Sequence, residues 1–216
     1  MRIKEVKQGA LTALKNRWGF AVLLTFVTYL IAAGIPGLID FLVNGFPSGS
    51  ETEYSQSTLA NIVSLLLVPL FFSYYWVLLR LVRGESVRVG NVFDSFSSAG
   101  LYFRTLGLYL LTIIYTVLWS ILLIIPGIIK SLAYSQAYYV FRDNPDYSVN
   151  QSITESRRLM NGYKWTYFLL LLSFIGWGIL SMITLGIGLL WLVPYVTTSL
   201  GVFYEKLKAN ETEVAE

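Results

Sequence analysis

Residues 122–139 read LLIIPGIIKSLAYSQAYY: an apolar run interrupted by Pro126, Gly127 and a lysine, Lys130, before it turns polar and tyrosine-rich. Similar runs recur along the chain, several of them uncharged for about 18 residues or more, the length a helix needs to cross about 30 Å of hydrocarbon. Of the 216 residues, 55% are hydrophobic and only 13% charged, with mean hydropathy +0.60. A soluble domain carries about 25% charged residues, so this chain has too little charge to clothe a soluble surface. The reading is an all-α membrane protein.

The absence of cysteine and histidine removes whole classes of chemistry. Disulfides, zinc sites with Cys or His ligands, Ser-His-Asp triads and haem held by His are excluded. Neither a GxGxxG turn nor a GxxxxGK[ST] loop is present, so no nucleotide signature appears. The isoelectric point near 9.0 reflects, in a membrane protein, a basic cytoplasmic face over anionic lipids rather than nucleic acid. The N-terminus, with charges spread along it and no cleavage site, does not read as a signal peptide.

Apolar spans are expected at about 18–42, 59–82, 105–125, 127–141, 165–184 and 186–204. The segment 44–58 carries Glu51 and Glu53 but no Lys or Arg, whereas fifteen of the sixteen basic residues fall on the opposite face. The positive-inside rule makes that face cytoplasmic and puts both termini inside. Lys130 is the exception. The 105–141 segment would give about 55 Å of helix, short of the roughly 60 Å that two full crossings need. The hairpin is therefore shallow or re-entrant, with Pro126 in the first turn of its second helix and Gly127 allowing close approach.

Three segments share one plan. A cytoplasmic amphipathic stretch precedes a span, a break and a returning span. The amphipathic stretches carry Ile3, Val6, Ala10, Leu14 and Trp18; then Val89, Val92, Phe93 and Phe96; then Val149, Ile153, Ser156, Met160 and Tyr163. Asn144 and Pro145 are expected to cap the third. The stretches either lie in the headgroup plane, with Trp18, Phe93 or Trp165 inserted, or cap the bundle. The expected architecture is one domain, 1–216: a six-span helical bundle built from three repeats of amphipathic helix plus transmembrane hairpin. The units run about 1–83, 84–143 and 144–208, followed by an acidic tail at 209–216.

The strings LKNRWGF, LLIIPGIIKSLAYSQAYYV, DNPDYSVNQSITESRRLMNGYK and LLLLSFIGWGILSMITLGIGLLWLVPY, in this order, resemble the bacterial integral-membrane family catalogued as domain of unknown function 975, common in Gram-positive bacteria. The resemblance spans essentially the whole chain. It implies a multi-pass protein of the bacterial plasma membrane and carries no activity. A looser likeness to the membrane domain fused to some glycerophosphodiester phosphodiesterases transfers no chemistry, because the metal-binding barrel is not in this sequence.

Candidate residues are few, and each has two readings. Lys130 is either a cation facing the bundle interior, binding a lipid phosphate or a carboxylate, or a lysine that reaches water along its stem. Asp40, near the outer end of the first span, is its natural partner, or is solvated in the headgroup zone. Arg80, Arg83, Arg157 and Arg158 hold lipid phosphates or simply mark the cytoplasmic side. Tyr74, Ser135, Gln136, Tyr138, Thr197 and Thr198 fall near mid-depth of the three returning helices and should face one another. They either hold the bundle by hydrogen bonds or line a cavity for an amphiphile's headgroup. No closely spaced acid pair lies in the spans, so no enzyme, metal or other cofactor is expected. The expected function is a non-catalytic membrane module binding lipid, peptide or a partner membrane protein; the alternative is a transporter or flippase of a lipid-like amphiphile. Nucleic acid is not an expected partner.

Overall fold

The computed structural model of the chain describes residues 1–45 and 56–215. It is 82% helix, and no strand occurs among the described residues. The helices run in the order α1 (Ile3–Leu14), α2 (Trp18–Asn44), α3 (Thr58–Leu66), α4 (Val68–Val82), a 3₁₀ helix (Val89–Phe96), α5 (Ala99–Leu122), α6 (Ile124–Tyr134), α7 (Ala137–Asp143), α8 (Val149–Leu159), α9 (Lys164–Leu172), α10 (Ile175–Ile183) and α11 (Leu189–Ala215). Among the described residues, four stretches are long and apolar enough to cross a membrane: Trp18–Asn44, Thr58–Val82, Ala99–Leu122 and Lys164–Ile183. They point to a membrane protein. Glu51 and Glu53 of the expected outer loop lie outside the described residues.

Helix α4 is the axis of the fold. Pro69, Leu70, Phe72, Ser73, Tyr74, Trp76, Val77, Leu78, Leu79 and Leu81 are all buried. A helix buried on every side needs partners all round, and α1, α2, α5, α7, α11 and the 3₁₀ helix supply them. The outward faces of α2, α5, α6 and α10 instead display Leu30, Leu38, Ile121, Ile124, Ile179 and Ile183, each more than half exposed. Exposed apolar surface on that scale suits hydrocarbon rather than water.

The first amphipathic stretch is a helix as its spacing requires, with Val6, Ala10 and Leu14 fully buried. It packs on α11 and α4, so it caps the bundle. The second departs from expectation. It winds as a 3₁₀ helix, whose three-residue turn aligns Val92 with Ser95 on the buried side. Phe93 and Phe96 therefore turn outward, 48% and 37% exposed. The third is capped by Ser148, whose Oγ accepts from Gln151 N–H while Gln151 Oε1 accepts from Ser148 N–H. This box supersedes the expected Asn144–Pro145 start; Asn144 instead closes α7, donating through N and Nδ2 to the Val140 carbonyl.

The second hairpin turns through one extended residue, Leu123. A Cβ on Gly127 would lie 2.8 Å from Ser120 Cα, so only glycine lets α5 and α6 approach this closely. Helix α5 begins six residues before the expected 105, because Ser98 Oγ caps it by accepting from Leu101 N–H. Arg104 does not end the apolar helix; it donates to the Pro145 and Tyr147 carbonyls at 2.6 Å each. The expected single span 127–141 is two helices broken at Ser135–Gln136. The expected acidic tail is also helical, continuing α11 through Ala215, with Glu211 paired to Arg158 and Asn210 Nδ2 bonded to Tyr163 Oη at 3.1 Å.

Candidate functional site

The polar middles of the three returning helices meet around α4. Thr25 donates to the Ala21 carbonyl at 2.8 Å, so the 2.9 Å contact with Tyr74 is Tyr74 Oη donating to Thr25. Trp76 Nε1 donates to the Tyr138 carbonyl at 2.8 Å, and Tyr139 Oη lies 3.5 Å from the Thr197 carbonyl. Tyrosine rings continue the contact from α4 to α11: Tyr74 to Tyr75 at 5.8 Å, Tyr75 to Tyr138 at 4.7 Å, Tyr138 to Tyr139 at 4.3 Å, and Tyr139 to Tyr204 at 5.1 Å. All but the Tyr138–Tyr139 spacing lie in the range of favourable aromatic pairs, about 4.5–7 Å between ring centroids.

The break between α6 and α7 is closed by α8. Ser156 Oγ donates to the Ala133 carbonyl at 2.8 Å and accepts from Gln136 N–H at 3.1 Å, so one hydroxyl serves two backbone groups the break leaves open. Gln136 Nε2 donates to Ser135 Oγ at 2.9 Å. Gln136 Oε1 and Thr198 Oγ1 are buried without a hydrogen-bond partner among the described residues. Of the six polar-middle candidates, Ser135 and Tyr138 line a groove of about 460 Å³ on the flank shared by α2, α4, α5, α6 and α7. Tyr74, Gln136, Thr197 and Thr198 are packed inside.

Asp40 and Lys130 are not paired. Asp40 Oδ1 accepts from Ser57 N–H at 2.7 Å and Asn44 Nδ2 at 2.9 Å, tying the end of α2 to the start of α3. Lys130 Nζ sits 4.3 Å from the centroid of the Trp119 ring. That short distance follows from the tight α5–α6 hairpin, which holds Lys130 against its own partner helix.

A charged knot gathers where the ends of α4 and α7 meet the middle of α11. Asp143 Oδ2 accepts from Arg83 Nη2 at 2.7 Å, Lys208 Nζ at 2.7 Å and Tyr204 Oη at 3.0 Å. Arg83 also holds Glu205 Oε1, at 2.7 and 2.9 Å. Burial alone would raise the Asp143 carboxyl, but the bonds from Arg83 and Lys208 outweigh it and hold it below the usual carboxylate range. Arg83 is held above its ordinary value by the same balance, burial opposing and the two carboxylates prevailing. Arg80 pairs with Glu85 at 3.0 Å and Asp94 at 3.4 Å. Arg158 pairs with Glu155 at 2.5 Å and with Glu211. Three of the four candidate arginines are thus neutralised by carboxylates.

Arg157 is different: no carboxylate lies within ion-pair distance of it among the described residues. It lines a cavity of about 230 Å³ with Tyr115, Trp119, Tyr134 and Asn150.

Sequence reasoning overlooked Asp143, Glu205 and Lys7. The first two carried a signal, since opposite charges stand at equivalent ends of the three returning helices: Arg80 and Arg83, Arg142 and Asp143, Glu205 and Lys208. Lys7 donates to the Ser173 carbonyl at 3.1 Å, at the break between α9 and α10, and lies 4.1 Å from the Phe174 ring. Burial lowers its pKa. Nothing in the spacing of α1 distinguishes it from the neighbouring lysines.

The family model described as protein of unknown function (DUF975) matches residues 1–130 and 121–211. The chain belongs to that family. Comparison with curated proteins and with solved structures gives no match.

Proposed function

We propose that this member of the family is a non-catalytic integral membrane module of the bacterial plasma membrane, crossing six times with both termini inside and binding lipid or a partner protein. The observation that carries the reading is the packing of the polar middles onto one another. A translocation path needs polar groups that face open space in at least one state. Here Tyr74, Trp76, Tyr139 and Ser156 spend their hydrogen bonds on neighbouring helices.

Six crossings are supported by the order of elements, which runs three times from a short helix to an outgoing stretch (α2, α5, α9–α10) and a returning one (α3–α4, α6–α7, α11). The returning segments α6–α7 and α11 are less uniformly apolar than the others where their polar residues turn inward: Gln136, Thr198 and Ser199 are fully buried, out of reach of lipid. Ser120 against Gly127 and Ser181 against Gly188, each pair seven residues apart, close the second and third hairpins in the same way. That shared device supports an internal repeat.

The flank groove supports the second reading, transport of an amphiphile, because Ser135 and Tyr138 lie in its wall beside Tyr29, Tyr75 and Tyr109. Reconstitution separates the two. In proteoliposomes carrying a headgroup-labelled phospholipid, the module reading expects lipid exchange between leaflets at the rate of protein-free vesicles. Faster exchange that Tyr138→Phe or Ser135→Ala abolishes would replace the module with a flippase.

A further inference from the structure

Lys130 and Arg157 belong to opposite faces on a simple topology, yet Lys130 lies over Trp119 and Arg157 lines a cavity with it. The geometry explains why. Ser156 donates to the Ala133 carbonyl at 2.8 Å, and Arg157 is the next residue. Lys130 stands three residues before Ala133, about 4.5 Å along the axis of α6. Helix α8 therefore reaches the level of the hairpin where Lys130 lies over Trp119, and Trp119 lines the cavity that Arg157 enters.

The chemistry of that cavity is one-sided. Its lining contains no carboxylate. Tyr115 Oη donates to Asn150 Oδ1 at 3.2 Å, which leaves the Asn150 amide hydrogens as donors. One cation without a carboxylate partner among the described residues, Arg157, an amide donor and the Tyr134 hydroxyl thus line a space of about 230 Å³, and a second such cation, Lys130, stands over Trp119 in its wall. Lys130, half-buried on the apolar hairpin, is a cation whose missing counter-charge is costly unless a ligand supplies it, while Arg157 is exposed and free to reach that ligand. The volume suits a phosphate with its polar substituent rather than an acyl chain. The chains have their own surface alongside, since Val117, Leu118, Ile121, Ile128 and Ile129 of the same hairpin are exposed.

We propose that the cavity between α5, α6 and α8 binds the phosphate of an anionic phospholipid, held by Arg157 with Asn150 donating, and that Lys130 reaches the phosphate from its place over Trp119 in the cavity wall. The proposal rests on the chain being a lipid-binding membrane module. Arg158, one residue away, is excluded from the role because Glu155 and Glu211 already neutralise it.

The test is titration of the detergent-solubilised full chain with short-chain phosphatidylglycerol, short-chain phosphatidylcholine and inorganic phosphate. Lys130→Met and Arg157→Gln are each expected to weaken phosphatidylglycerol about fivefold, and the double variant about 25-fold. Lys130→Arg and Arg158→Gln should bind as the wild type does, and phosphatidylcholine should be indifferent to all four. Arg157 is exposed, so its variant keeps the test in force even if Lys130→Met does not fold. Wild-type affinity for phosphatidylglycerol in a folded double variant would overturn the site. Inorganic phosphate binding as tightly as the lipid, and lost in the same variants, would overturn the lipid assignment. Phosphatidylglycerol bound equally by wild type and double variant would remove this cavity and leave the module reading standing, whereas a wild-type chain that retains neither lipid nor protein partner would remove the module itself.

Discussion

Replacing Asp143 by asparagine tests how the three returning helices are tied together. The side chain is 11% exposed and its Oδ2 receives three donors, from Arg83, Lys208 and Tyr204. An amide keeps the shape but removes the charge, and its single oxygen accepts at most two of the three donors. Removing one partner of a fully buried pair costs about 3–5 kcal/mol. Here Arg83 is 27% and Lys208 44% exposed, and Arg83 keeps Glu205, so the cost falls to about 2 kcal/mol. In a domain of this size that lowers Tm by roughly 4–8 °C. The assay is thermal unfolding in detergent at neutral pH, repeated downwards in pH. Because the Asp143 carboxyl is held below the usual range, its bonds contribute fully above that range and are lost as pH falls through the lowered value. The wild type should therefore lose its advantage over Asp143→Asn in acid, and the two curves should converge. A neutral-pH difference under about 0.5 kcal/mol, or a gap that persists in acid, would refute the reasoning.

Other outcomes follow from single contacts. Gly127→Ala should destabilise by about 1–3 kcal/mol, because its Cβ meets Ser120 backbone, while Gly176→Ala, with nothing within 4 Å, should be neutral or slightly stabilising; thermal midpoints of the two variants check this. Tyr74→Phe should cost about 1 kcal/mol in the same assay, since Thr25 loses one donor but keeps the Ala21 carbonyl. The chain contains no cysteine, so single cysteines report topology on a clean background. A membrane-impermeant thiol reagent added to whole cells should label Gln56→Cys and Leu185→Cys and spare Asn210→Cys, and the reverse pattern would invert the orientation.

Much of the architecture is legible in the sequence because the determining signals are local. The helical spacing of Val6, Ala10 and Leu14 places the buried face of α1 correctly. Pro126–Gly127 marks a tight hairpin, although the one-residue turn at Leu123 depends on Ser120 packing against Gly127, seven residues on. The 3₁₀ form of Val89–Phe96 was not legible: the same apolar residues fit a 3.6-residue repeat until Ser73 and Ser95 bond to each other at 2.7 Å. The cap at Ser148 loses to Asn144–Pro145 in a sequence reading, although the Gln three residues later is its signature. Charges were visible, but their partners were not. Asp40 looks available for Lys130 until the backbone N–H of Ser57, seventeen residues away, arrives at its carboxylate. Arg157 and Arg158 look alike as neighbouring charges, and their partners separate them: Arg158 takes both Glu155 and the distant Glu211.

The central claim, that this is a module built to hold a ligand rather than to move one, is tested most directly by native mass spectrometry of the full chain extracted from membranes with its own lipids and partners. The account predicts a stoichiometric adduct, an anionic phospholipid or a partner membrane protein, that survives delipidating detergent. A chain that emerges bare under conditions preserving its fold would contradict it.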